Sequence, residues 1–190
     1  PTGSISISAG ATYTISPDVT LTVSASDALS APVTAMRLSN NGYDWTTLSY
    51  DSSPDWTLEW GDGTRTVYAQ FLDSAGNLST GTGISDSIVL DTDDPTGSIS
   101  IAGGAPYATS RAVTLNLTYA DTGSGPYYMQ FDNEGYDWSG WADVAPTQAW
   151  NLSAGDGTKT VNYQVMDGAG RTSIYDDTIV LDTTAAIAAI

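Results

Sequence analysis

Pro1-Thr2-Gly3-Ser4-Ile5-Ser6-Ile7 returns as Pro95-Thr96-Gly97-Ser98-Ile99-Ser100-Ile101, 94 residues later. Within it isoleucine and serine alternate, the period-2 signature of a strand with one apolar face. The repeat extends outward from this stretch. Tyr13 matches Tyr107, Val19-Thr20-Leu21 matches Val113-Thr114-Leu115, and Asp27 matches Asp121. Gly42-Tyr43-Asp44-Trp45 matches Gly135-Tyr136-Asp137-Trp138, Gly61-Asp62-Gly63-Thr64 matches Gly155-Asp156-Gly157-Thr158, and Asp73 matches Asp167. The spacing drifts from 94 to 93 and ends at 91, for Ile88-Val89-Leu90 against Ile179-Val180-Leu181. Such changes mark loops that gained or lost residues. A unit of this size is a small domain, since solenoid repeats run to about 20–50 residues.

Alternation recurs through both copies, and helical periodicity does not. Val19, Leu21 and Val23 alternate with Thr20, Thr22 and Ser24; Trp56, Leu58 and Trp60 alternate with Thr57 and Glu59; Val67, Ala69 and Phe71 alternate with Tyr68 and Gln70. One apolar and one polar face is the pattern of an antiparallel sheet with one dry side. Strands are expected at 3–7, 19–26, 35–39, 45–50, 55–60, 65–73 and 84–90, and at the matching positions of the second copy. Turn chemistry separates them: Asn41-Gly42 and Glu134-Gly135 as tight hairpins, then Gly61-Asp62-Gly63 and Ala75-Gly76-Asn77. About seven strands per copy predict an all-β chain of two tandem immunoglobulin-like antiparallel β-sandwiches without a disulfide. The expected layout is domain 1 at 1–91, a linker at 92–94, domain 2 at 95–184 and a tail at 185–190.

Composition narrows the function. There is no Cys, so no thiolate site and no disulfide staple. The 22 acidic against 5 basic residues give a net charge of −17, which argues against nucleic-acid binding. No apolar run is long enough to span a membrane. A single Lys amid abundant Ser, Thr, Gly and Asp suits a secreted or cell-surface protein. With no His and no Cys, and only Glu59 and Glu134 besides the aspartates for paired-carboxylate chemistry, the chain is not expected to be an enzyme. It starts at a repeat edge without an initiator Met, as expected of a chain processed or cut from something longer.

Several segments together resemble bacterial immunoglobulin-like, fibronectin-III-like repeats of secreted and cell-surface proteins. They are the linker Asp91-Thr92-Asp93-Asp94-Pro95-Thr96, the Met36–Gly42 hairpin, Gly61-Asp62-Gly63-Thr64-Arg65-Thr66-Val67, and Asp73-Ser74-Ala75-Gly76-Asn77. The second copy keeps Asp167-Gly168-Ala169-Gly170 but has Arg171 in place of the Asn. The resemblance implies a rigid spacer or fibre-forming segment of an adhesin stalk, surface layer or filament, with further copies or neighbouring repeat domains as partners. It also implies calcium near domain junctions.

An immunoglobulin topology places the ends of the second and sixth strands beside the incoming linker. Asp121 and Asp167 should then face Asp91, Asp93 and Asp94, and calcium takes about 6–8 oxygen ligands. The equivalent pole of domain 1 holds Asp27, Asp73 and Asn77. The competing reading is that these acids cap turns. Arg171 weakens the metal reading, because a cation competes with metal.

The alternative function is a glycan-binding or ancillary module of a secreted hydrolase. Trp45, Tyr43, Trp138, Trp141 and Tyr136 are the candidates for stacking on a sugar, although packing is the expected role of Trp45 and Trp138. Asn77-Leu78-Ser79, Asn116-Leu117-Thr118 and Asn151-Leu152-Ser153 match the glycan-acceptor pattern at the frequency expected by chance in so Ser- and Thr-rich a chain. The apolar tail Ala185-Ala186-Ile187-Ala188-Ala189-Ile190 departs from the repeat and is a candidate for the start of a further domain or for a strand donated to a neighbouring subunit.

Overall fold

A computed structural model describes residues 1–28, 32–79 and 83–184. The tail at 185–190, and the strand donation expected of it, lie outside the described residues. The chain divides into two compact units, Pro1–Thr92 and Asp93–Ile190.

Unit 1 contains β1 (Thr2–Ile7), β2 (Tyr13–Thr14), β3 (Asp18–Ser26), β4 (Val33–Ser39), β5 (Thr46–Ser49), β6 (Asp55–Thr57), β7 (Gly63–Asp73) and β8 (Ile84–Leu90). They form a three-stranded sheet, β1-β3-β6, and a five-stranded sheet, β2-β8-β7-β4-β5. Unit 2 repeats this with β9 (Thr96–Ile101), β10 (Tyr107–Ala108), β11 (Ala112–Ala120), β12 (Pro126–Asn133), β13 (Ala142–Asp143), β14 (Thr147–Asn151), β15 (Gly157–Asp167) and β16 (Thr172–Leu181). Its sheets are β14-β11-β9 and β10-β16-β15-β12-β13. Each unit is an immunoglobulin-like sandwich, and among the described residues no helix is long and apolar enough to cross a membrane.

The alternating residues meet between the sheets. Ile7, Leu21, Met36, Leu38, Val67 and Phe71 are buried in unit 1; Ile101, Leu115, Met129, Phe131, Val161 and Tyr163 are buried in unit 2. The repeated Gly in Pro-Thr-Gly-Ser has a packing cause. A Cβ on Gly3 would collide with the Ser24 carbonyl and the Phe71 ring, and one on Gly97 would crowd Thr118, Tyr163 and Tyr175. Only a bare backbone lets the largest fully buried ring of each unit lie under the first strand.

Each unit has an eighth strand that alternation does not reveal. After β1 the chain passes through Ser8, Ala9 and Gly10 at φ 47°, 56° and 83°, and after β9 through Ala102, Gly103 and Gly104 at 50°, 68° and 82°. These left-handed steps carry the chain from the three-stranded to the five-stranded sheet. There β2 pairs parallel with β8, and β10 with β16, while all other pairs are antiparallel. The N–H of Ile7, at the end of β1, donates to Asp86 Oδ2 at 2.8 Å, and that of Ile101 to Asp177 Oδ2 at 2.8 Å.

Two local expectations fail. Trp60 does not continue the inward face of Trp56 and Leu58: β6 ends at Thr57, the chain turns at Gly61 (φ 98°), and Trp60 is 77% exposed. Asn41-Gly42 and Glu134-Gly135 are not two-residue hairpin turns, because residues 40–45 join β4 to β5 and residues 134–141 join β12 to β13. Ser39 Oγ accepts the N–H of Gly42 at 2.9 Å, and Asn41 Oδ1 accepts those of Tyr43 and Asp44 at 2.8 and 2.9 Å. Side-chain acceptors organise the unit 1 loop, as Asn and Ser do where they mimic backbone turns.

Candidate metal centre

The pole of unit 1 is built on the turn that follows β7. Asp73 is buried at the strand end. Its Oδ1 accepts the N–H groups of Ala75 (2.9 Å) and Asn77 (2.8 Å), and its Oδ2 accepts the Asn77 amide (2.8 Å). The Asn77 side chain, reinforced by the two N–H groups, holds the Asp73 carboxyl below its ordinary range. Asp27 pairs with the Pro1 ammonium at 2.8 Å. In this pole the turn-capping role accounts for Asp73 and Asn77, both of which are committed to each other.

Unit 2 uses the same turn with a different ending. Asp167 Oδ1 accepts the Arg171 N–H at 2.8 Å, as Asp73 does from Asn77. The Arg171 side chain turns away, and its Nε and Nη2 donate to Asp94 Oδ1 at 2.8 and 2.7 Å. Asp121 comes from the end of β11. Its Oδ2 accepts the N–H groups of Gly123 and Gly125 at 3.1 and 2.8 Å, while its Oδ1 is buried without a hydrogen-bond partner. Carboxylate oxygens of Asp121 and Asp167 lie within 4.8 Å of each other. Two oxygens held at about 2.4 Å by one calcium stand at most about 4.8 Å apart, so the pair has a calcium-compatible spacing. Asp93, Asp94 and Asp121 line one shallow hollow of about 370 Å³.

Among the sequence-nominated ligands, the fold of unit 2 therefore brings Asp93, Asp94, Asp121 and Asp167 to one pole. Asp94 is the member most compromised for metal, since its charge is met by Arg171. Asp91 closes unit 1, where its N–H donates to Thr14 O at 2.9 Å.

The sequence reading missed a second set of aspartates. Asp62, in the Gly61-Asp62-Gly63 turn, accepts the N–H and hydroxyl of Thr92 at 3.1 and 2.9 Å. Asp156 accepts the N–H and hydroxyl of Thr183 at 3.0 and 2.7 Å and the hydroxyl of Thr184 at 2.7 Å. The Thr184 hydroxyl, with both groups of Thr183, holds the Asp156 carboxyl below its ordinary range. Both aspartates clamp the chain just after the last strand of a unit. The shared Gly-Asp-Gly and Asp-Thr pairs were the available signal, 30 residues apart in unit 1.

The aromatic candidates part company between units. Trp45 is half-buried beneath the Arg37 guanidinium, 5.4 Å from the ring centre. Trp138 does not pack into the core as expected: it is 39% exposed, Trp141 is 41% exposed, and Tyr43 and Tyr136 are almost wholly exposed. Trp138 lacks the cover of Trp45 because Gln130 stands where unit 1 has Arg37; beyond it the register differs as well. Met36 pairs with Leu48, 12 residues on, whereas Met129 pairs with Ala142, 13 residues on. Leu38 pairs with Thr46, and Ser139 donates its N–H to Phe131 O at 2.7 Å, both eight residues on. The extra residue therefore lies after Ser139, where Gly140 has φ 85°. A one-residue insertion at a left-handed Gly is a β-bulge, and it re-aims the side chains beside it.

No family model matches the chain, and no curated protein matches it. Among solved structures, it is similar to the fibronectin(III)-like modules of Clostridium thermocellum CbhA, at 14% identity, with 94% of this chain and 93% of that one covered and a TM-score of 0.53. A 1.5-MDa bacterial ice-binding adhesin structure aligns at 15% identity over 97% of this chain and 67% of that one, with a TM-score of 0.49. A tetra-tandem repeat from the extending region of a large adhesion protein aligns at 18% identity over 96% of this chain and 50% of that one, with a TM-score of 0.41. The likeness to the CbhA modules is one of fold: two fibronectin(III)-like, immunoglobulin-like sandwiches in tandem.

Proposed function

We propose that the chain is a non-catalytic structural segment of an extracellular protein, a rigid spacer or fibre-forming piece, stiffened by calcium at the junction between its units. Further copies or neighbouring repeat domains are its partners. The duplicated, self-contained sandwich supports the spacer reading, and the clamps on Thr92 and Thr183 fix the direction in which the chain leaves each unit. The observation that carries calcium is the buried, unpartnered Asp121 Oδ1 beside Asp167. An orphaned carboxylate oxygen is costly unless a cation or water meets it. Asp91 stands two residues before Asp93 in the chain, within covalent reach of the same pole. Calcium would supply charge neutralisation and a cross-link among these carboxylates.

Thermal unfolding with calcium and with excess chelator tests the proposal. At a concentration about 100-fold above Kd, linkage gives about 2.7 kcal/mol, a rise of several degrees in the unit 2 transition. Asp121→Asn with Asp167→Asn should abolish the rise. An unchanged transition in the native chain would return these acids to turn capping.

A second reading, a glycan-binding module, is favoured by the exposure of Tyr136, Trp138 and Trp141 on one loop. Oligosaccharides should then change tryptophan fluorescence, and Trp138→Ala with Trp141→Ala should remove the response. No response across neutral and acidic sugars sinks that reading.

A further inference from the structure

A cleft of about 940 Å³ opens in unit 1 between β5, the edge of the five-stranded sheet, and β6, the edge of the three-stranded sheet. Trp56 and Asn40 line it together with Asp18, Asp44, Asp55 and Glu59, and no Lys or Arg is among its lining residues. The indole is fixed by its Nε1–H donating to Asn40 Oδ1 at 2.7 Å. Hydroxyls across the β3–β6 ladder orient two carboxylates: Thr57 donates to Asp18 Oδ1 at 2.8 Å, and Thr20 to Asp55 Oδ1 at 3.1 Å. Asp44 Oδ2 accepts the Asn41 amide at 2.8 Å.

The duplication supplies an internal control. Val19 pairs with Trp56 in unit 1, and Val113 with Trp150 in unit 2. Trp150 Nε1–H donates to Asn133 Oδ1 at 2.9 Å, so the Trp–Asn bond belongs to the scaffold. Three of the four carboxylates do not: Asp18, Asp55 and Glu59 correspond to Ala112, Ala149 and Ser153, while Asp44 is kept as Asp137. The fold forms without them. Asp18 and Asp55 also lie in strands, where Asp is disfavoured, rather than in turns that Asp would cap. Among the described residues no three of these carboxylates approach within 4.8 Å, so they do not enclose a single metal ion.

We propose that this cleft binds a cationic side chain, arginine or lysine, on a basic segment of a partner protein. Four carboxylates, none of them in an ion pair among the described residues, beside a half-buried indole match a guanidinium or ammonium. A second copy of this chain, with five basic residues and a net charge of −17, is a poor donor of such a segment. The site goes beyond the spacer role and is independent of calcium.

The test is NMR titration of the whole chain with an acetylated, amidated arginine-glycine-arginine peptide. Shifts should centre on the Trp56 indole and the β5–β6 edges. Replacing the cleft acids by their unit 2 counterparts, with D18A, D55A and E59S together, should weaken binding at least tenfold. A charge-matched control, D137A, D143A and D176A, should weaken it less than twofold. Should the triple cleft variant lose its folded spectrum, D55N, which keeps the side-chain shape, should weaken binding at least threefold. Equal weakening by both triple variants would mean attraction to bulk charge and overturn the proposal. So would shifts elsewhere, no binding, or shifts in the cleft with a neutral oligosaccharide but not with the peptide.

Discussion

The two units solve the same packing problem with rings at different positions. Unit 1 has Ala69 and Phe71 where unit 2 has Tyr163 and Val165, by the register of β7 on β4 and of β15 on β12. Phe71 sits under Gly3; Tyr163, under Gly97, is fully buried and stacks on Phe131 at 5.4 Å. Burial pushes its hydroxyl pKa up to about 12. The poles differ in the opposite sense. Their cores are interchangeable solutions, whereas Asn77 against Arg171 decides whether the strand-end aspartate is closed within its own turn. The ring changes its position between the cores, whereas at the poles a polar partner is exchanged for another of different reach.

The largest effect should come from breaking the core compensation. Tyr163→Ala should cost about 3–5 kcal/mol, lowering the unit 2 transition in calorimetry and sparing that of unit 1. Ala69→Tyr, placed beside an intact Phe71, should overpack unit 1 at a cost of about 1–3 kcal/mol. Adding Phe71→Val to it should recover part of that loss, since the pair approaches the unit 2 arrangement, in which Phe131 also stands in place of Leu38. A failure to recover would mean that the two cores are not equivalent.

A smaller effect sharpens the polar half of the comparison. Asn77→Ala removes the amide from Asp73 and should lower the unit 1 melting temperature by roughly 5 °C at neutral pH. Because the folded Asp73 carboxyl lies below its unfolded value, its contribution is complete above the unfolded pKa and is lost as pH falls through the folded one. The difference between native chain and variant should therefore shrink on acidification through pH 4 and below. A difference independent of pH would assign the loss to the turn backbone.

Much of the sandwich was legible because its strands alternate over five residues or more. Ile84–Leu90 carries Ile88 and Leu90 on one face, and the strand has the expected bounds. What escaped was too short or too distant to leave a local pattern. Two-residue strands such as Tyr13–Thr14 have no period, and the partners of Asp86 and Asp177 lie 79 and 76 positions away. Trp60 was misplaced because alternation says nothing of where a strand stops. Asp121 and Asp167 were nominated from topology; Arg171 was noticed as a competing charge, but its hold on Asp94 required side-chain geometry.

The short parallel strand has a mechanical consequence. Once the first strand has peeled from β3 or β11, opposed pulls on the two ends drive the parallel pair, β2 on β8 or β10 on β16, past each other. The bonds from Val89 N to Thr12 O (3.1 Å) and from Asp91 N to Thr14 O (2.9 Å) are then loaded in shear and must fail together. Unit 2 carries the same pair, from Val180 N to Pro106 O (3.2 Å) and from Asp182 N to Ala108 O (2.9 Å). Beyond each pair, the clamp of Asp62 on Thr92 or Asp156 on Thr183 takes up tension first. Resistance to extension thus resides in a handful of backbone bonds at the seam, largely decoupled from the hydrophobic interior that sets thermal stability.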